Sequence, residues 1–186
     1  MSENRNEKDC CFIGHRAVAN AEETRKLLYR EILKLIKSES VRTFLFGSRS
    51  EFNELCHAVV TDLQIVYPDI KRVMYSCRSE CACMESEREK TNSLYSRLLN
   101  RPIKLLGYEE ERKFPYYLTS GRASYVQRNK SMIDDSDYCI FYYCDGYTPK
   151  SGGRSGTRMA YEYAEKVQRK GSNFKIINVY RPIDCL

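Results

Sequence analysis

The sequence predicts a three-layer α/β/α domain built on a mostly parallel sheet. Two observations carry that expectation. Short apolar runs alternate with helical patterns along the chain, and those runs are apolar on both faces instead of alternating with polar residues. A strand that buries both faces needs helices on either side of its sheet, and strand–helix alternation joins such strands by parallel crossovers in a Rossmann-like way. At 186 residues the chain suits one domain, 1–186, with no repeat, low-complexity tract or linker to divide it.

The elements follow in order. "CCFIG" at 10–14 reads as a first strand closed by a glycine turn. Leu27, Leu28, Ile32, Leu35 and Ile36 recur at helical spacing, predicting a helix over 19–37. "RTFLFGS" at 42–48 is a second strand, again closed by glycine. Phe52, Leu55, Val59, Val60, Leu63 and Val66 mark a second helix, stopped by Pro68. "KRVMYS" at 71–76 is a third strand. The segment 78–115 reads as an excursion or cap, with a charged helix near 85–99, an apolar "PIKLLGY" at 102–108, and room for a further strand. Beyond it come a helix over 121–134, the strand "YCIFYYC" at 138–144, a helix over 158–170 and a last strand "FKIINVY" at 174–180.

Composition narrows the class of function. Hydrophobic residues make up 42% and charged residues 30%, as in ordinary globular proteins. No apolar run exceeds strand length, which argues against a membrane span, and the polar start "MSENRNEKD" does not resemble a signal peptide, so a cytoplasmic location is expected. The net charge of +6 is mild and scattered, which weighs against a nucleic-acid partner. Of nine cysteines, Cys10, Cys11, Cys139 and Cys144 lie in or beside strand patterns, where a reduced thiol behaves as a small hydrophobe. Cys77, Cys81 and Cys83 cluster as C-x3-C-x-C, which is not a usual zinc spacing and has no histidine near it, so no metal and no cofactor is expected.

Parallel sheets bind ligands at the carboxyl ends of their strands, where chain order reverses. Here those ends carry Gly14, His15 and Arg16, then Gly47, Ser48 and Arg49, then Ser76 onward, then 145–157. The last contains "SGGRSGT", whose Ser151, Gly152, Gly153, Ser155, Gly156 and Thr157 precede an amphipathic helix. A helix start offers unbonded N–H groups and a positive dipole end to an anion, glycines allow close approach, and hydroxyls add donors. The spacing is neither a Walker A loop nor G-x-G-x-x-G. The bland alternative is a connector capped by Thr157. Arg16, Arg49 and Arg128 are candidate phosphate partners through the planar guanidinium fork. His15 can serve as a hydrogen-bonding group or a general acid, whereas His57, inside the second helix, reads as structural. Phe52 and Tyr147 are candidates for stacking on a base, while Phe141 and Tyr143 read as packing.

The helix "YVQRNKSMIDDSDYCIFYY" running into this loop resembles the SLOG superfamily, which includes the Lonely-guy phosphoribohydrolases and the nucleotide-binding domain of DNA-processing protein A. Arg128 and Met132 match the Arg and Met of its Arg-Lys-x-x-Met helix, Asp137 matches the acidic strand entry, and Gly156-Thr157 ends the loop. "FIGHR" and "LFGSRSEFN" look like the first two strand–turn units of that fold, and the bacterial and phage branch is the nearest in character. The resemblance implies a nucleotide or nucleotide-derived ligand, a sensing or sequestering role in a stress or defence pathway, and a homo-oligomer, which the Tyr-rich surface would permit.

The hydrolases of that family place a glutamate pair within three residues of the Gly-Thr. This chain has Arg158, Met159 and Ala160 there, Ser151 in place of the proline, and a loop one residue longer. The nearest carboxylate, Glu162, falls roughly half a turn from the expected place. Holding the ligand is therefore expected over cutting it. The alternatives are a phosphoribohydrolase or N-glycosidase using Glu162 or Asp145, and a DNA-associated protein like DNA-processing protein A.

Overall fold

Six strands and four helices occur among the residues described by the computed structural model, which are 7–47, 50–77, 107–112, 122–149 and 152–182. In chain order they are β1 (Lys8–Gly14), α1 (Ala21–Ser38), β2 (Val41–Phe46), α2 (Glu51–Gln64), β3 (Lys71–Tyr75) and β4 (Glu110–Arg112). Then follow α3 (Arg122–Asp134), β5 (Tyr138–Tyr142), α4 (Gly156–Arg169) and β6 (Lys175–Asn178). The strands form one sheet in the order β4-β3-β2-β1-β5-β6, and every neighbouring pair is parallel. This is the expected Rossmann-like α/β architecture.

The two-faced apolar strands work as their composition requires. Cys10 and Phe12 of β1, Phe44 and Phe46 of β2, Met74 of β3 and Ile140 of β5 pack on one face with Leu28 and Ile32 of α1 and Val59 and Leu63 of α2. Their neighbours Cys11, Ile13, Leu45, Val73, Cys139 and Phe141 point to the other face, where Met132 and Ile133 of α3 and Ala160 and Ala164 of α4 cover them. Alternate residues of one strand thus build two separate cores. Phe12 stacks on Phe44 at 5.9 Å between ring centroids and leans on Phe46 at 5.0 Å. Each buried ring contributes about 1.5–3 kcal/mol relative to exposure.

Chain order reverses at β1, which lies between β2 and β5. The loops after β1 and β5 therefore leave the sheet in opposite directions, the arrangement that in parallel sheets makes a crevice at the carboxyl edge. Three helices begin on that edge with side-chain caps: Asn20 accepts from the Glu23 N–H, Ser50 from the Asn53 N–H and Ser155 from the Arg158 N–H.

The structure corrects two sequence expectations, the end of the second helix and the cap of α4. The second helix stops at Gln64, because the Val66 and Tyr67 N–H groups both turn back to the Leu63 carbonyl, and this swings Ile65 and Val66 into solvent. Ser155, not Thr157, caps α4. Within 78–115 the strand is β4, a charged "EER" that pairs with β3 at the sheet edge; edge strands tolerate charge because one side is unpaired. Of the apolar 102–108 stretch, Gly107 and Tyr108 are described and neither is in a strand; the helix expected at 85–99 lies outside the described residues. No helix among the described residues is long and apolar enough to cross a membrane. Cys10, Cys11, Cys56, Cys77 and Cys139 are buried free thiols, and Cys144 is half-buried; Cys81 and Cys83 lie outside the described residues.

His57 packs its ring against Tyr108 at 4.9 Å and Phe46 at 5.5 Å. Burial, helped by the Arg72 charge, pushes its pKa from 6.5 down to about 4. As pH falls through that interval the unfolded chain binds the proton and the native one does not, so stability drops from pH 6.5 to pH 4 and levels off below. His57→Phe should flatten that slope. Urea unfolding should show the variant gaining on the wild type by about 2 kcal/mol across the interval.

Candidate functional site

The crevice is assembled from β1 outward. Beyond Gly14, the His15 N–H donates to the Tyr142 carbonyl at 3.1 Å and so extends the β1–β5 ladder by one residue. His15 Nε2 accepts from the Cys144 N–H at 3.1 Å, which ties the loop after β5 to the loop after β1 and leaves the ring proton on Nδ1. Burial lowers the His15 pKa below the ordinary histidine value. Its ring lies 4.1 Å from that of Tyr147 and 5.9 Å from that of Tyr143. His15 is thus a neutral tether with an aromatic neighbour on the outside.

The turn after His15 is pinned from two sides. The Glu51 N–H donates to the Arg16 carbonyl at 3.0 Å, Glu51 Oε2 accepts from the Val18 N–H at 2.9 Å, and the Tyr142 hydroxyl accepts from the Ala19 N–H at 3.0 Å. The Arg16 side chain is exposed at this turn. Sequence reasoning missed Glu51 and Tyr142 here, because nothing local marks a helix-start carboxylate or a strand tyrosine as the anchor of a distant turn.

Gly14 and Gly47 allow the helices to close on the strand ends. A Cβ on Gly14 would stand 2.3 Å from Cδ1 of Phe52, and one on Gly47 would stand 2.4 Å from Met132 Sδ and 2.8 Å from Arg128 Nε. Phe52 is accordingly fully buried, with its ring stacked on Tyr142 at 5.5 Å. It has no face to offer a base, which removes it from the stacking candidates. Tyr147 is 45% exposed and keeps an outer face.

Arg128, only 2% exposed, reaches from α3 to the ends of β2 and β3. Its Nη1 lies 3.8 Å from Cys77 Sγ and its guanidinium carbon 5.2 Å from the Tyr125 ring centroid. The chain therefore stations a buried cation beside the carboxyl ends of two adjacent strands. Ser48 and Arg49 lie outside the described residues.

The loop before α4 is suited to close approach. Gly152 and Gly153 have φ of +72° and +75°, left-handed values that favour glycine, and among the described residues nothing lies within 4 Å of a Cβ placed on either, or on Gly156. Ser155 Oγ accepts from the Arg158 N–H at 3.0 Å and the Ser155 carbonyl from the Met159 N–H at 3.1 Å. The N–H groups of Gly156 and Thr157 are those an α-helix start leaves without an intrahelical partner. Ser155 and Thr157 are buried against the helix end, and Ser151 lies outside the described residues.

Both carboxylates considered for catalysis are engaged. Glu162 accepts from Arg158 Nε at 3.0 Å and from Arg154 Nη1 at 3.3 Å, and Asp145 accepts from the Tyr143 hydroxyl at 2.8 Å. Burial, together with that Asp145 contact, pushes the Tyr143 phenol up to about 12. Tyr161 stacks on Tyr143 at 4.4 Å and steadies it from the α4 side. Among the described residues no group of three His, Cys, Asp or Glu side chains could hold a metal ion.

The chain matches no protein-family model, and no curated protein matches it.

Gly47→Ala should cost about 1–3 kcal/mol, because Met132 and Arg128 must both give way. Gly146→Ala, with nothing among the described residues within 4 Å of its Cβ, should stay within about 0.5 kcal/mol of the wild type in the same urea titration.

Proposed function

We propose that the protein binds a nucleotide or nucleotide-derived ligand in the crevice at the carboxyl ends of β1, β2 and β5, and holds it without cutting it. The observation that carries this reading is the loop at 152–157. Two left-handed glycines and an open helix start stand beside the point where the sheet reverses its chain order. Such a helix start suits phosphate through its N–H groups and dipole. Arg128 supplies a buried positive charge on the opposite wing of the same edge. The outer face of Tyr147 is the surface a base would meet.

The resemblance to the SLOG superfamily supports the same ligand class and a role as sensor or sequestering protein. Hydrolysis is the weaker reading, because Glu162 faces two arginines and Asp145 accepts a tyrosine hydroxyl. A carboxylate committed to two guanidiniums is poorly placed to stabilise a developing oxocarbenium or to activate water.

A thermal-shift panel of AMP, NAD and cyclic ADP-ribose, with chromatography of each mixture, tests the reading. It predicts a raised melting temperature with at least one nucleotide and unchanged nucleotide afterwards. No shift with any of them would count against binding. Release of free base or ribose 5'-phosphate that Glu162→Gln abolishes would replace the binder with an enzyme.

A further inference from the structure

On α2, one turn apart, stand two buried side-chain atoms with no hydrogen-bond partner among the described residues: Oδ1 of Asn53 and Nε2 of His57. Asn53 is 3% exposed, on a helix whose other inward residues, Cys56, Val59, Val60 and Leu63, are apolar. A buried polar atom without a partner costs about 1–3 kcal/mol, and a leucine would avoid that cost at similar volume.

Capping does not explain the residue. With Ser50 as N-cap, Asn53 stands at the position from which a capping-box side chain reaches back to the cap N–H, and Asn53 Oδ1 does not make that bond. Its backbone N–H already donates to Ser50 Oγ at 3.2 Å, and its Nδ2 only adds a contact to the same oxygen at 3.4 Å. That second contact is at the long end for a hydrogen bond, so the amide turns about its last torsion at small cost. Residues that contradict their surroundings in this way are retained where function uses them.

The position is the right one for such a use. Asn53 lies in the first turn of α2, next to Phe52, which packs against Gly14, and is bonded to the Ser50 cap that follows β2. Its neighbour Glu51 bonds the turn after β1. We infer that Asn53 is a ligand-binding residue of the crevice, whose Oδ1 accepts a hydrogen bond from a hydroxyl or amino group of the nucleotide held there. This rests on the binding reading above and adds to it a polar anchor away from the phosphate loop.

Asn53→Leu and Asn53→Ala, each compared with the wild type by urea unfolding and by calorimetric titration with AMP and NAD, test the assignment. The leucine variant should unfold no earlier than the wild type, while nucleotide affinity falls roughly fivefold to thirtyfold in both variants. Titration with 2'-deoxy-AMP and with IMP separates a ribose hydroxyl from a base amino group. The analogue lacking the donor should bind the wild type more weakly than AMP and bind the variants no more weakly than AMP does. Folded variants that bind nucleotide as the wild type does would overturn the role of Asn53 and leave the binding reading standing. A wild type that binds neither AMP nor NAD would overturn both.

Discussion

Two glycines without side chains set how closely the helices approach the carboxyl edge of the sheet. Gly14 and Gly47 end adjacent strands, and each is met by a group from a different helix: the Phe52 ring of α2 at the first, Met132 and Arg128 of α3 at the second. One contact lies on each face of the sheet. A methyl group at either position would force a helix outward, and the loops that depend on those helices would move with it. The Arg16–Val18 turn is bonded to Glu51 at the start of α2, and the buried guanidinium of Arg128 lies directly against Gly47. The local geometry of the crevice is therefore a consequence of packing in both cores.

Charge is distributed to suit that geometry. Arg128 is sunk between strand ends, whereas Arg154 and Arg158 stand at the start of α4 and share Glu162. The carboxylate offsets part of the positive charge at a helix end that already carries a positive dipole. Under the proposed function an incoming phosphate competes with Glu162 for these arginines, and Glu162 acts as a placeholder for the anion instead of an acid in a reaction.

Most of the architecture was legible because periodicity and composition are local. Strands apolar on both faces, helices with spaced leucines, and glycines closing strands can all be read without knowing what they touch. What could not be read depends on contacts between distant segments. Phe52 looked available beside a strand-end arginine, yet Gly14 lets the sheet swallow its ring. Ile65 and Val66 continued an apolar pattern past the point where the helix turned away. β4 carries no apolar signal, since its three residues are all charged and its place at the edge is set by pairing with β3. At the crevice the glycine-rich loop was plain from composition. The tether between His15 and Cys144 and the unpartnered oxygen of Asn53 exist only once the chain has folded.

The central claim is that the carboxyl edge around β1 and β5 is where a nucleotide binds. Amide hydrogen exchange of the intact protein, with and without saturating AMP or NAD, tests it most directly. Slowed exchange confined to the turn after Gly14, the loop after Tyr142 and the first turn of α4 is the predicted result. Unchanged exchange with both nucleotides, or protection that falls on the amino edge around Lys8, Val41 and Lys175, would contradict the account.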